Sequence, residues 1–141
     1  MLQKASEIDF SVLIDVWESS VRATHDFLPE SEIIPLRSLI LNQYFSQVLL
    51  HKYIHNDQIV GFIGTSEDNI EMLFIDPAFR GKGIGTILLG FAVNELNIQN
   101  VDVNEQNLQA VEFYKKSGFH VAGRSELDGQ GNPYPLLHLK I

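Results

Sequence analysis

The sequence predicts an α/β fold, an antiparallel meander that leads into βαβ units. Three observations predict it. Apolar residues recur at helical spacing up to about residue 44 and alternate in strand fashion from residue 48 onward. Asn56-Asp57 and Glu67-Asp68-Asn69 punctuate the alternating stretch as two turns. After Ile75, helical and strand patterns alternate, each helix opening on a glycine or an asparagine.

Each element follows in order. Ser6-Glu7-Ile8-Asp9 has the form of a capping box, and Phe10, Leu13, Ile14, Trp17 and Val21 then mark one face of a helix. The pattern breaks at residues 24–29. A second helix is expected from residue 31 to about 44, with Leu36, Leu39, Ile40 and Tyr44 inward; Pro35 is tolerable only near its first turn. Strands are expected at residues 48–55, 58–64 and 70–75. A third helix over about 83–96 turns Ile84, Ile87, Leu88 and Phe91 inward. A strand near 101–103, a helix from Asn107, and strands at 119–126 and 134–140, joined by a turn at 128–131, complete the order.

A chain of 141 residues is expected to be one domain, residues 1–141, with no linker, repeat or low-complexity segment. The absence of cysteine removes disulfides, thiolate metal sites and a cysteine-bound acyl intermediate. A formal net charge of −8 argues against a nucleic-acid partner, which needs clustered Lys and Arg, and is compatible with a cationic amine substrate. No apolar run reaches membrane-spanning length and no signal-peptide core precedes residue 10, so a cytoplasmic, membrane-free protein is expected.

Within this frame, residues 73–86 carry the chemistry. They read as a buried strand, a Pro77-marked turn, a basic glycine-rich loop and a helix start. Gly81, Gly83 and Gly85 let backbone N–H groups approach a ligand, and the helix beginning there presents unpaired amides and its positive dipole end. The combination suits a phosphate or pyrophosphate, and Arg80 and Lys82 add cations. Lys82 is followed by Gly83 rather than Ser or Thr, which excludes a P-loop. Thr86 stands where the last glycine of the dinucleotide fingerprint belongs, which excludes that motif too.

What fits is R-x-x-G-x-G at Arg80, Gly83 and Gly85, followed about twenty residues on by N-x-x-A-x-x-F-Y-x-x-x-G-F from Asn107 to Phe119. The two motifs, in this order, resemble those of the GNAT N-acetyltransferase superfamily, over roughly residues 61–121. Segments at 23–28, 103–107, 123–126 and 133–137 are further similar to a small bacterial acetyltransferase of that superfamily. The resemblance implies a mixed, mostly antiparallel sheet with helices on both faces, splayed between the strands ending near Ile75 and Val103. Acetyl-CoA would lie in that opening as co-substrate, with no metal. An amine acceptor is the other implied partner, and a homodimer is compatible with the family.

The resemblance also implies roles. Arg80, Gly81, Lys82, Gly83, Ile84, Gly85 and Thr86 would hold the pyrophosphate; the backbone of Leu73, Phe74 and Ile75 would pair with the pantetheine arm, which Asn107 anchors. Tyr114 would protonate the departing thiolate; its competing reading is a core aromatic. For the base, Glu71 alternates with apolar Ile70 and Met72, neighbours that would raise its pKa. Asp102 is its rival, or else an exposed strand residue, and a water-mediated route would need neither. His25, Phe27 and Tyr134 are candidate walls of the acceptor pocket, with a loop hydrogen bond the alternative for His25 and a rigid strand start that for Tyr134. His51, His55, His120 and His138 show no metal-ligand spacing and receive no site. Direct acetyl transfer to a primary amine of a small molecule, peptide or protein is the expected activity, and a non-catalytic acyl-CoA sensor the alternative.

Overall fold

The computed structural model describes residues 1–24 and 27–141. The chain opens on a short edge strand, β1 (Leu2–Lys4), whose three residues are too few to show alternation in the sequence. The Ser6 backbone N–H then donates to the Asp9 carboxylate at 3.0 Å, one half of the expected capping box. A 3₁₀ turn, Glu7–Asp9, enters α1 (Phe10–Thr24), and Leu13, Ile14, Trp17 and Val21 are buried along its inner stripe.

The next helix departs from expectation. α2 covers Glu30–Leu39, then widens into a π-helical turn, Ile40–Tyr44, and tightens into a 3₁₀ turn, Phe45–Gln47. Pro35 stands in the second turn of α2 rather than its first, so the Ser31 carbonyl loses its helical donor. The π turn inserts a residue and shifts the phase of the inner stripe. Ile33, Ile40 and Phe45 are the buried side chains, Leu36 and Tyr44 pack from half-buried positions, and Leu39 joins neither apolar cluster.

β2 (Leu49–His55) and β3 (Gln58–Ser66) form a hairpin whose turn residues Asn56 and Asp57 both take positive φ, 51° and 61°, the signature of a primed turn. β4 (Asn69–Ile75) continues the meander. α3 (Ile84–Glu95), β5 (Asn100–Asn104), α4 (Leu108–Lys116), β6 (His120–Ser125) and β7 (Leu136–Lys140) follow. The strands make one seven-stranded sheet in the order β1-β2-β3-β4-β5-β7-β6, antiparallel everywhere except β4 with β5.

Apolar clusters cover both faces of this sheet. Leu50, Phe62 and Met72 pack under α1 and α2, against Leu13, Trp17 and Ile33. Val60, Ile63, Ile70, Val101 and Leu139 pack under α3 and α4, against Ile84, Leu88, Ala92 and Val111. Helical spacing correctly places Ile84 and Leu88 inward, but Ile87 is 47% exposed, and Leu89 and Ala92 take the inner positions. Among the described residues, no helix is long and apolar enough to cross a membrane.

Two irregularities shape the centre of the sheet. Gly64 pairs with Met72 and Thr65 with Ile70, which leaves Glu71 as the extra residue of a β-bulge. The bulge reverses the pleat, so Ile70 and Met72 face opposite sides of the sheet rather than sharing one. The parallel pairing of β4 with β5 covers only Asn69↔Asn100 and Ile70↔Val101. Beyond these pairs the strands diverge, and the opening between them holds the candidate site.

Candidate active site

Asp76 starts the loop that follows β4. Its carboxylate accepts from the Ala78 backbone N–H at 2.9 Å, and Pro77 opens the single 3₁₀ turn that results. The chain then passes through Gly81 and Gly83 at φ values of 74° and 81°. Those values admit glycine readily and most other residues with strain. A Cβ built at either glycine meets no atom within 4 Å, so the loop leaves open space where a ligand would lie. Gly83 caps α3, and the first helical bond runs from the Ile87 N–H to the Gly83 carbonyl at 3.0 Å. The amides of Ile84, Gly85 and Thr86 therefore precede the helical ladder and stand free to receive an anion.

These residues line a cleft of about 340 Å³, with Leu73, Phe74 and Ile75 of β4 along one wall and Asn107, Ala110, Phe113 and Tyr114 along another. Arg80 lines it too. Its guanidinium donates to Ser20 Oγ at 3.1 Å and to the Ser20 carbonyl at 3.3 Å, which ties the loop to α1. Lys82 is exposed and does not line the cleft. The β5-facing edge of β4 beyond Ile70 carries no strand partner among the described residues, so its backbone groups border the cleft.

α4 places Tyr114. The Asn107 side chain accepts from the Ala110 N–H at 3.2 Å at the helix start. At the other end, the Phe119 N–H reaches the Tyr114 carbonyl at 3.0 Å and the Gly118 N–H reaches that of Lys115 at 3.1 Å, with Gly118 at φ 102°. This is a Schellman closure, and the Tyr114 and Phe119 rings complete it, 5.6 Å apart and edge-on. Tyr114 is both a core aromatic and a cleft residue: it is buried in the cluster under α3 and α4 and it also lines the cleft. Burial pushes the phenol's pKa up, which keeps its proton in place at neutral pH.

A second chamber of about 110 Å³ lies between the diverging ends of β4 and β5, with Tyr114 in its wall. It shares Leu73, Phe74, Asn107, Ala110 and Tyr114 with the larger cleft and is lined in addition by Glu71 and Asp102. The setting of Glu71 differs from the apolar one expected. The bulge exposes its carboxylate, which accepts from Ser66 Oγ at 2.7 Å and Asn69 Nδ2 at 2.9 Å. Asp102 Oδ1 lies 2.6 Å from His138 Nδ1. Sequence reading leaves His138 without a site because its partner is remote in the chain; only the β5–β7 register brings the two opposite each other.

Of the remaining candidates, His25 lies outside the described residues. Phe27 and Tyr134 meet each other, ring centroids 6.0 Å apart, and the Tyr134 hydroxyl donates to the Glu32 carboxylate of α2, but neither residue lines a chamber. Among the described residues, no cluster of three or more His, Asp or Glu side chains is placed to hold a metal ion.

Comparison with known proteins gives a consistent result. The family model of the acetyltransferase (GNAT) domain matches residues 35–133. The chain is 45% identical, over 127 residues, to the peptidyl-lysine N-acetyltransferase YjaB of Salmonella typhimurium, covering 90% of this chain and 88% of that one. It is likewise 45% identical to the YjaB of Escherichia coli, covering 90% and 86%. The solution structure of the apo form of Escherichia coli YjaB superposes with a TM-score of 0.89 at 40% identity, over 99% of this chain and 95% of that one.

Proposed function

The chain belongs to the GNAT family of N-acetyltransferases, and from that premise we propose that it transfers an acetyl group from acetyl-CoA directly to the side-chain amine of a peptidyl lysine. One observation carries the reading. The anion-receptive cleft and the carboxylate-lined chamber are adjacent and share Tyr114 in their walls, so a donor held in one and an amine held in the other would both lie beside the same residue. The lysine specificity named for relatives at 45% identity supports the acceptor class. Glu71 and Asp102 in the smaller chamber suit a cationic amine.

Each residue has a task in this scheme. The amides of Ile84, Gly85 and Thr86, with Arg80, hold the pyrophosphate; Gly81 and Gly83 leave room for it. The free edge of β4 at Leu73, Phe74 and Ile75 pairs with the pantetheine amides as an added strand would, and one of its N–H groups faces the thioester oxygen as charge develops there. Asn107 steadies the same arm. A carboxylate of the smaller chamber takes a proton from the acceptor ammonium, and Tyr114 returns one to the departing sulfur. One domain spanning residues 1–141 accommodates all of these tasks.

The test is free-thiol release from acetyl-CoA in the presence of lysine-containing peptides with blocked N-termini. Wild-type protein is expected to release thiol in proportion to acetyl-lysine formed. Tyr114→Phe is expected to lower kcat by about a hundredfold, in the range removed with a general acid, while acetyl-CoA binding by calorimetry is retained. No release with any lysine peptide overturns the acceptor assignment, and full activity of Tyr114→Phe overturns the role of the phenol.

A further inference from the structure

The His138 ring is held from both ends. Its Nδ1 faces Asp102 Oδ1 at 2.6 Å and its Nε2 faces Ser125 Oγ at 2.7 Å. The three residues stand on β5, β7 and β6, which are neighbours in the sheet. Register sets Asp102 opposite His138 on one side and Gly123 opposite it on the other. An ionised carboxylate only accepts, so the hydrogen of the first bond is on Nδ1, and Nε2 then accepts from the Ser125 hydroxyl. The chain fixes both the tautomer of the ring and the direction of Asp102.

Only one member of this chain reaches the site. Asp102 lines the smaller chamber together with Tyr114, whereas His138 and Ser125 line neither chamber. That placement excludes Ser125 as a nucleophile toward a ligand in the cleft and makes Asp102 the working end. It also separates Asp102 from Glu71, whose Oε1 is already engaged by Ser66 and Asn69 of its own turn. We propose that His138 and Ser125 are positioning residues that hold Asp102 as the base receiving the acceptor's proton; this rests on the transfer reading given above. In the step, an N–H bond of the acceptor ammonium breaks and an O–H bond forms on Asp102. The Nδ1 hydrogen stays on the ring. Asp102 is exposed, with 47% of its side-chain surface accessible, so after the acetylated product leaves its proton passes to water and the carboxylate is restored.

The pair works through geometry: the N–H of His138 holds the Asp102 carboxylate at the wall of the smaller chamber. The other charged or titratable groups around the ring are Glu71 across the chamber on β4, Lys140 two residues along β7, and His120 opposite Lys140 on β6. Glu126 just beyond β6 and the Glu105–Arg124 ion pair, at 2.6 Å, complete the set. None of these others is hydrogen-bonded to the ring.

The experiment measures kcat and KM for transfer to a lysine peptide by the full chain carrying His138→Leu, His138→Gln, Ser125→Ala or Asp102→Asn, with folding checked by thermal unfolding. His138→Leu is expected to lower kcat about tenfold, a fraction of what a general base supplies, with the KM for acetyl-CoA unchanged. His138→Gln keeps an N–H donor for Asp102, so it is expected to recover most of the kcat that His138→Leu loses. Ser125→Ala is expected to fall between wild type and His138→Leu. Equal impairment of the Leu and Gln variants, or wild-type kcat in both, overturns the proposal. So does full activity of Asp102→Asn in a setting where wild type transfers to lysine. If wild type transfers to no amine, the transfer reading fails first and this proposal with it.

Discussion

His51 on β2 is buried, its ring centroid 4.6 Å from that of Phe91, and its Nδ1 has no hydrogen-bond partner among the described residues. Burial, and then the nearby charge of Lys4, hold its pKa below the ordinary histidine value. The fold therefore keeps the ring neutral while the unfolded chain takes up a proton near pH 6.5. A depressed base contributes stability that is present above the unfolded pKa and lost as pH falls below it. Urea unfolding at pH 7.5 and 5.5 is expected to show a larger loss of stability in wild type than in His51→Phe, which keeps the ring contact and cannot ionise. Equal losses in the two proteins contradict this account. Gly83 offers a second test at this scale. Aspartate tolerates a positive φ better than most residues, so Gly83→Asp is expected to melt close to wild type. Its carboxylate nevertheless faces the amides that receive the anion, and acetyl-CoA affinity by calorimetry is expected to fall at least about tenfold, or roughly 1.4 kcal/mol. Unchanged affinity in a folded variant contradicts the loop's role.

At the scale of elements, what is legible in a sequence is what is encoded locally. Asn107 and Gly118 mark the ends of α4 because capping chemistry depends on one or two residues near the helix terminus, and both ends form as read. The same holds for the Asn56-Asp57 turn and for the glycine loop before α3. Features set by pairing are not legible. The bulge at Glu71 exists because β3 and β4 meet in a particular register, and no residue in β4 announces it. The expectation of an apolar setting for Glu71 fails for that reason. His138 is missed likewise, since its partner Asp102 lies 36 residues away. The π turn after α2 shifts the inner stripe in a way that a 3.6-residue period cannot follow. Because α4's end is local and also carries Tyr114, it can be tested alone. Gly118→Ala forces a side chain onto a residue at φ 102° and is expected to cost about 1 kcal/mol in chemical denaturation. A cost near zero means that Phe119 and Tyr114 hold the helix end without the glycine.

Across the whole molecule, the sheet is two blocks, β1–β4 and β5-β7-β6, joined at a narrow seam. The seam consists of the Asn69↔Asn100 and Ile70↔Val101 pairs, reinforced by the N–H groups of Gln99 and Asn100 donating to the Asp68 carbonyl, each at 3.1 Å. At the other end the blocks diverge around the two chambers, where the packing of α3 and α4 spans them and the Tyr134 hydroxyl ties the β6–β7 loop to Glu32 of α2. A molecule lying in the cleft would touch β4 on one block and α4 beside the other, adding contacts where the sheet lacks its own. Binding to the native state alone stabilises by about 2.7 kcal/mol at a hundredfold excess over Kd, which for a chain of this size is on the order of 10 °C in Tm. Acetyl-CoA is expected to produce such a shift in thermal unfolding. The gain in amide hydrogen-exchange protection is expected to concentrate in residues 73–75 and 107–114, with β1 and β2 little changed, because local openings at the wide end of the seam are those that a bridging ligand suppresses. Protection spread evenly over the sheet, or confined to β1 and β2, contradicts a ligand held between the blocks and moves the binding site away from the opening.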